Sequence, residues 1–255
     1  MRSLIGAFRL LVFFVTSLFT LAYQSTVMLF TKGEFAYYYP RAYHAFLCHL
    51  FGIKVIVEGH MERGRNIVYL GNHLSYLDIQ ALGSILLGSF VARKDLADWP
   101  FFGWMARMQR TVFISRDPKD AAAATKLLED RIAEGLPLVI FPEGTSSSGE
   151  EIFPFKSSFF EIFLNKNIRI QPFTISLLAA DEKPAVDTTI RDIYAWYGDM
   201  PLGRHLWRVA KAKEFVVKVT FQEAIASSSY NNRKLLCSDV YEAVAKGLDL
   251  SPLSQ

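Results

Sequence analysis

The sequence predicts an α/β fold: a mixed, largely parallel sheet flanked by helices, with an N-terminal membrane-associated helical hairpin. Three observations predict it. From residue 53 onward, short apolar runs alternate with helical patterns, the order that builds parallel strands joined by crossover helices. Before that point, an uncharged stretch between Arg9 and Lys32 is followed by a segment crowded with tyrosine and phenylalanine. Finally, the polar motifs follow directly on apolar runs, where loops leave strands. A chain of 255 residues accommodates one or two domains, and the change of pattern divides it into membrane-anchoring helices (1–52) and an α/β domain (53–255).

Composition narrows the setting. Apolar residues make up 51% of the chain, above the usual share once glycine is set apart, which points toward a membrane or a lipid ligand. The net charge of +3 is too small to argue for nucleic acid, and its sign suits an anionic membrane surface or a phosphorylated substrate. Cys48 and Cys237 are far apart, and neither belongs to a Cys-x-x-Cys pair. No disulfide framework, zinc site or redox motif is indicated.

As a helix, the stretch between Arg9 and Lys32 would reach roughly the 30 Å of a bilayer core. Thr16, Ser17, Thr20, Gln24, Ser25 and Thr26 dilute it, so an interfacial or re-entrant helix competes with a span, and a cleaved signal peptide is a third reading. Residues 35–51 suit a second helix folding back beside the first, with Pro40 in its first turn. Strands are then expected at 53–57, 66–70 and 89–92, with a helix at 75–87 between the last two. The cluster from Leu96 to Met105, which includes Trp99, Phe101, Phe102 and Trp104, reads as core or as the lining for an acyl chain. A strand at 111–114 leads to a helix capped by Asp117, with Pro118 at its first position and Gly135 past its end. Further strands are expected at 136–141, at 168–176 with Pro172 marking an edge or bulge, and at 215–221. Helices are expected from about 157 to 164, at 204–211 and at 233–247.

The heptapeptide from Asn72 to Asp78 carries the sharpest chemistry. Histidine takes and returns a proton near neutrality, and a carboxylate can fix its tautomer and favour the imidazolium. His73 therefore reads as a general base and Asp78 as its orienting partner. Ser75-x-x-Asp78 also reads as a helix start, with Ser75 as the cap. The two readings are compatible, because a helix that begins at Ser75 leaves His73 in the turn before it. If the strands are parallel, Asn72 and His73, Arg116, and Glu143 with Gly144 all open on one edge of the sheet. Ligands of open α/β sheets bind there.

The set Asn72-His73-x-x-x-x-Asp78, Phe113-Ile114-x-Arg116, Phe141-Pro142-Glu143-Gly144-Thr145 and Pro172 in an apolar strand, in this order and spacing, resembles the four blocks of the glycerolipid acyltransferase family. That family includes bacterial 1-acylglycerol-3-phosphate acyltransferases, and the resemblance covers about residues 50 to 225. It implies that His73 deprotonates an acceptor hydroxyl attacking the thioester of acyl-CoA or acyl-carrier protein, while Asp78 stabilises the imidazolium, with no covalent acyl-enzyme. It implies that Lys94 and Arg116 hold the acceptor's phosphate, that Glu143, Gly144 and Thr145 shape that pocket, and that Asn72 belongs with the substrate-binding positions. The implied acceptor is a lysophospholipid, first of all 1-acylglycerol-3-phosphate giving phosphatidate. No metal and no cofactor beyond the acyl donor is implied. The partners are then the lipid bilayer, the lysolipid acceptor and acyl-CoA or acyl-carrier protein, without nucleic acid, at the cytoplasmic face of the inner membrane.

Two departures bear on the acceptor. Arg110 stands where the family's second block opens with glycine, and Ser146 stands where its third block continues with arginine. Losing that arginine removes a bidentate phosphate ligand. Arg110-Thr111-Val112-Phe113, Gly144-Thr145-Ser146-Ser147, residues 197–201 and His205-Leu206-Trp207 are similar to a subgroup that includes lyso-ornithine-lipid acyltransferases. Rival readings are a non-catalytic lipid-binding protein and a metal-dependent hydrolase, the latter lacking a second histidine at a ligand spacing.

Overall fold

The structure is a computed structural model that describes residues 1–255 except Lys32, Arg116, Asn165 and residues 252–255. Helices α1 (Arg2–Phe30) and α2 (Phe35–Phe51) open the chain. They are followed by β1 (Ile53–Glu58), β2 (Ile67–Gly71), α3 (Leu77–Ile85), β3 (Ser89–Arg93), α4 (Phe102–Met108), β4 (Val112–Ile114), α5 (Ala121–Ala133) and β5 (Leu138–Ile140). The second half holds β6 (Arg169–Ala180), β7 (Lys183–Pro184), α6 (Thr188–Arg191), α7 (Leu202–Lys211), β8 (Phe215–Phe221), β9 (Ile225–Ala226) and α8 (Arg233–Lys246).

The main sheet runs β1-β8-β6-β2-β5-β3-β4, with β7 and β9 on β6. Every neighbouring pair from β6 to β4 is parallel, as is β1 with β8, and the β6–β8 pair is antiparallel. Strand β2 shows why the predicted pattern is a continuous apolar run: all five of its residues are buried. Ile67 and Tyr69 pack into the core shared with α1, α2 and α3, while Val68 and Leu70 pack into the core shared with α5 and α8. A strand covered on both faces has no solvent side on which to place polar residues. The first core joins Phe13, Leu47 and Phe51 of the opening helices to Leu82, Phe90 and Phe215.

Helix α1 is polarised in the sense opposite to a soluble helix. Its covered face carries Gly6, Ser17, Thr20 and Gln24 besides Phe13 and Leu21, whereas Leu4, Phe8, Leu11, Leu18, Phe19 and Leu29 are exposed. It is long and apolar enough to cross a membrane. The small and polar face meets α2 through hydrogen bonds: Ser17 Oγ to Tyr43 Oη at 2.6 Å and Thr20 Oγ1 to Tyr39 Oη at 3.3 Å. Farther along α1, Gln24 Nε2 donates to Ala36 O at 2.7 Å. These pairs run in opposite senses along the two helices, so α1 and α2 form the expected antiparallel hairpin.

Pro40 lies in the second turn of α2 and not the first. A proline there cannot donate to the carbonyl four residues back, which is Ala36 O. Gln24 supplies the missing donor. Gln24→Leu is therefore expected to leave a buried carbonyl unpaired, at a cost of about 2 kcal/mol, read as a fall of roughly 4–8 °C in the Tm of detergent-solubilised protein. An unchanged Tm would show that the bond is dispensable.

Other expectations shift. Pro172 is not at an edge: β6 lies between β8 and β2, and the register irregularity on β6 falls between Leu177 and Ala179. The proline is tolerated because its carbonyl accepts from Gln222 N, just past the β8 end of the ladder at Phe173 and Phe221. Its missing N–H faces the same side, and the Gln222 carbonyl there accepts instead from Gln171 Nε2 at 3.1 Å. Residues Ser157–Phe163 form 3₁₀ turns in place of an α-helix, and Pro118–Asp120 form a 3₁₀ turn ahead of α5.

Candidate active site

Because β2, β5, β3 and β4 are adjacent and parallel, the loops that leave them open on the same edge of the sheet. The turn after β2 holds His73. Its backbone N–H donates to Glu143 Oε1 at 2.8 Å, and its carbonyl accepts from Ser147 N at 2.9 Å, so the loop after β5 grips it on both sides. The imidazole stacks on Phe141, with ring centroids 4.0 Å apart and planes 14° from parallel.

Asp78 is completely buried, while the His73 side chain keeps 22% of its surface exposed. Asp78 Oδ2 lies 2.7 Å from His73 Nδ1 and also accepts from Leu74 N at 2.7 Å and Ser75 N at 2.9 Å. An ionised carboxylate only accepts, so Nδ1 carries the ring proton and the Nε2 lone pair is the free base. The predicted pair is thus in place. The helix start differs, because α3 begins at Leu77, and Ser75 Oγ receives only Leu77 N at 3.3 Å. The carboxylate of Asp78 reaches back over the turn to the N–H groups of Leu74 and Ser75, the reciprocal half of a capping arrangement.

Asn72 is buried, and both ends of its amide are engaged with one residue of β6. Nδ2 donates to Ile175 O at 2.9 Å, and Oδ1 accepts from Ile175 N at 2.7 Å. It pins the end of β2 and offers no free polar atom to a substrate. Glu143 is also buried, and its second oxygen accepts from Phe153 N at 2.9 Å. Burial pushes the Glu143 carboxyl up to about 7, against the two N–H donors that pull it down.

Gly144 adopts φ +70°, and Lys156 Nζ lies 2.8 Å from where a Cβ would stand. Thr145 is exposed, as is Lys94 at the end of β3. Arg116 lies outside the described residues. Arg110 is turned away into an ion pair with Glu134 at 2.8 Å. Ser146 donates its hydroxyl to Trp196 O at 2.6 Å.

A cavity of about 200 Å³, almost entirely apolar in lining, opens between the first four helices. Its wall includes Tyr76 and Leu77 just beyond His73, together with Leu96, Trp99, Phe102 and Met105. The expected acyl lining is therefore split: these four face the cavity, while Trp104 is exposed.

Sequence reasoning tied residues 197–201 and His205 only to the subgroup resemblance, and it missed Tyr194 and Trp196. Trp196 N donates to Leu74 O at 2.9 Å, and Tyr194 Oη donates to Asp78 Oδ1 at 2.9 Å. Tyr76 Oη pairs with His205 Nδ1 at 3.0 Å; burial lowers His205 to about 4, so that imidazole stays neutral. The aromatic run at 194–197 carries no spacing rule that ties it to Asp78.

The family model for Acyltransferase matches residues 52–176. A lyso-ornithine lipid O-acyltransferase of Rhodobacter capsulatus is 39% identical over 196 residues, 73% of this chain and 68% of the relative. A second, from Rhizobium meliloti, is 33% identical over 217 residues, 82% and 74% of the two chains. A 1-acyl-sn-glycerol-3-phosphate acyltransferase of Neisseria gonorrhoeae is 27% identical over 184 residues, 72% and 69%. The crystal structure of the 1-acyl-sn-glycerophosphate (LPA) acyltransferase PlsC from Thermotoga maritima shares the fold, with a TM-score of 0.70 over 97% of this chain and 96% of that one at 21% identity. With the hydrogen-bonded pair His73–Asp78 on the strand edge, an apolar cavity beside it and relatives of this identity and coverage, the chain belongs to the acyltransferase family and is an acyltransferase of the lysolipid-acylating kind.

Proposed function

We propose that the enzyme transfers a fatty acyl group from acyl-CoA or acyl-carrier protein to the free hydroxyl of a lysolipid, and that its preferred acceptor is lyso-ornithine lipid. The chemistry rests on the pair His73–Asp78. Nε2 of His73 takes the proton from the acceptor hydroxyl as that oxygen attacks the thioester carbonyl, and Asp78 stabilises the imidazolium. Collapse of the tetrahedral adduct breaks the C–S bond. The imidazolium returns the proton to the departing thiolate, leaving an ester, a free thiol and the neutral base. The acyl chain lies in the cavity beside Tyr76.

The acceptor assignment rests on Ser146. A serine whose hydroxyl is engaged by Trp196 O supplies neither the charge nor the fork with which arginine grips a phosphate. An ornithine headgroup, carrying both an ammonium and a carboxylate, places less demand on a cationic clamp. The two most identical of the relatives named above carry that acceptor in their names. The second reading, 1-acylglycerol-3-phosphate as acceptor, draws on the exposed Lys94 and on the shared motifs.

Assaying the purified protein with one acyl donor against lyso-ornithine lipid, lysophosphatidate and other lysophospholipids decides between them. Ser146→Arg is expected to raise the ratio of lysophosphatidate to lyso-ornithine transfer about tenfold. Equal or greater wild-type transfer to lysophosphatidate would overturn the preference.

Membrane association follows the same logic. Arg9 Nη1 donates to Ala212 O at 2.5 Å, and Arg2 pairs with Asp181, so the first part of α1 lies along the α/β domain. With its apolar stripe outward, α1 is placed in the bilayer interface and not across it, and residues 1–52 form the anchor. A thioester donor made in the cytoplasm puts the site at the cytoplasmic face of the inner membrane.

A further inference from the structure

We infer that Tyr194 is a positioning residue of this reaction, setting the proton affinity of the His73–Asp78 pair through a hydrogen bond to the far oxygen of Asp78. The inference rests on the reading of His73 as the base.

The two oxygens of Asp78 have different tasks. Oδ2 faces His73 Nδ1 and the N–H groups of Leu74 and Ser75. Oδ1 accepts from Tyr194 Oη at 2.9 Å. Asp78 and Tyr194 are both fully buried, and the ion pairing of Asp78 involves His73 and no lysine or arginine among the described residues. A buried carboxylate without a fixed cation is held ionised by the donors that surround it. Each donor draws charge from the carboxylate and so weakens what the imidazolium receives. The Tyr194 hydroxyl thus acts on the acid–base pair without touching the substrate.

The placement of Tyr194 does not depend on this bond alone. Its ring meets Phe215 at a centroid distance of 5.5 Å, and Tyr194 N and Ala195 N both donate to Arg191 O. The chain on its far side is tied by Trp196 N to Leu74 O and by Ser146 Oγ to Trp196 O. Segment 191–196 therefore bridges the loop that bears His73 and the loop after β5. A phenylalanine at 194 would keep the ring contacts and lose only the hydroxyl.

The other titratable groups around the pair are Glu143 from the loop after β5, Cys48 from α2 and Tyr76 ahead of α3; His44 of α2 packs one turn farther along α3, against Gly83. Burial, followed by the neighbouring Asp78, holds the Tyr194 phenol well above its ordinary value, so it remains a donor across the working range.

The test is Tyr194→Phe in the full chain, with the pH profile of kcat/KM measured beside an NMR titration of the His73 imidazole in the resting protein. Removing the donor concentrates charge on Asp78 and makes the pair more basic. The acid limb and the His73 midpoint are expected to move upward together by about 0.5–1 pH unit, with kcat at neutral pH falling by no more than about 3- to 10-fold and KM unchanged. A fluorinated tyrosine in place of Tyr194 keeps the shape and strengthens the donor, and it should move both downward. This second substitution preserves the test if the phenylalanine variant fails to fold.

An unmoved limb and an unmoved His73 midpoint would overturn the inference, even if stability fell, because a merely structural hydroxyl changes Tm and not the titration. A rise in KM with an unmoved limb would overturn it too, by assigning Tyr194 to substrate binding. Failure of the general-base reading shows separately, as transfer that survives His73→Ala.

Discussion

His73→Ala is expected to lower transfer to a lysolipid by about 10²–10⁴-fold, the range that a positioned general base contributes. The fold should survive. The His73 backbone is held by Glu143 Oε1 and by Ser147 N whatever its side chain, and the imidazole is partly exposed. Thiol release from the acyl donor, followed in detergent beside a Tm measurement, separates lost chemistry from lost structure. Asp78→Asn should cost less in chemistry and more in order. An amide nitrogen in the place of Oδ2 favours the wrong His73 tautomer and leaves the N–H groups of Leu74 and Ser75 without an acceptor, whereas one in the place of Oδ1 meets the donating hydroxyl of Tyr194. Full transfer by His73→Ala in a folded protein would remove His73 from the mechanism.

The second large effect is expected at Glu143. Its carboxyl has a folded value near 7 because of burial, against about 4.5 as the ordinary value. The folded state therefore binds this proton more tightly than the unfolded state. The contribution to stability is present in full below about pH 4.5 and is lost as pH rises through 7, amounting to about 3 kcal/mol at 1.36 kcal/mol per unit.

Glu143→Gln removes that dependence. The difference in stability between wild type and variant should change by about that amount across this window, the wild type being relatively better on the acid side. Glutamine has one carbonyl oxygen for two N–H donors, so either His73 N or Phe153 N loses its acceptor, at about 1–3 kcal/mol. Loss of the His73 bond loosens the base, and kcat should fall about tenfold or more while KM changes little. Unfolding midpoints at a series of pH values, read with kcat at each, check both statements. A difference that is flat from pH 4.5 to 8 would show that Glu143 does not titrate in this range.

Both effects concern a site whose parts differ in how readable they were. The pairing of His73 with Asp78 spans five residues and needs only a turn before a helix, so local spacing was enough to propose it. The serine cap proposed alongside it is reduced to a 3.3 Å contact of Ser75 Oγ with Leu77 N, because α3 begins at Leu77 and not at Ser75. Glu143 and Gly144 were legible as a turn on the same edge. That Glu143 holds backbone on both oxygens, rather than facing a ligand, follows from the depth at which the loop after β5 crosses the loop after β2. Asn72 tells the same story through Ile175, 103 residues away.

The sequence by itself determined the alternation of strands and helices, the apolar opening hairpin and the residue types able to move a proton. These depend on periodicity, charge and turn chemistry within a few residues. Strand order, the interior place of Pro172, the donor that Gln24 gives to Ala36 O and the hydroxyl of Tyr194 on Asp78 were decided by the tertiary structure. The last of these joins residues 116 apart. Such contacts are selected by which buried polar groups are left needing partners once the sheet has closed, and no local pattern encodes that requirement.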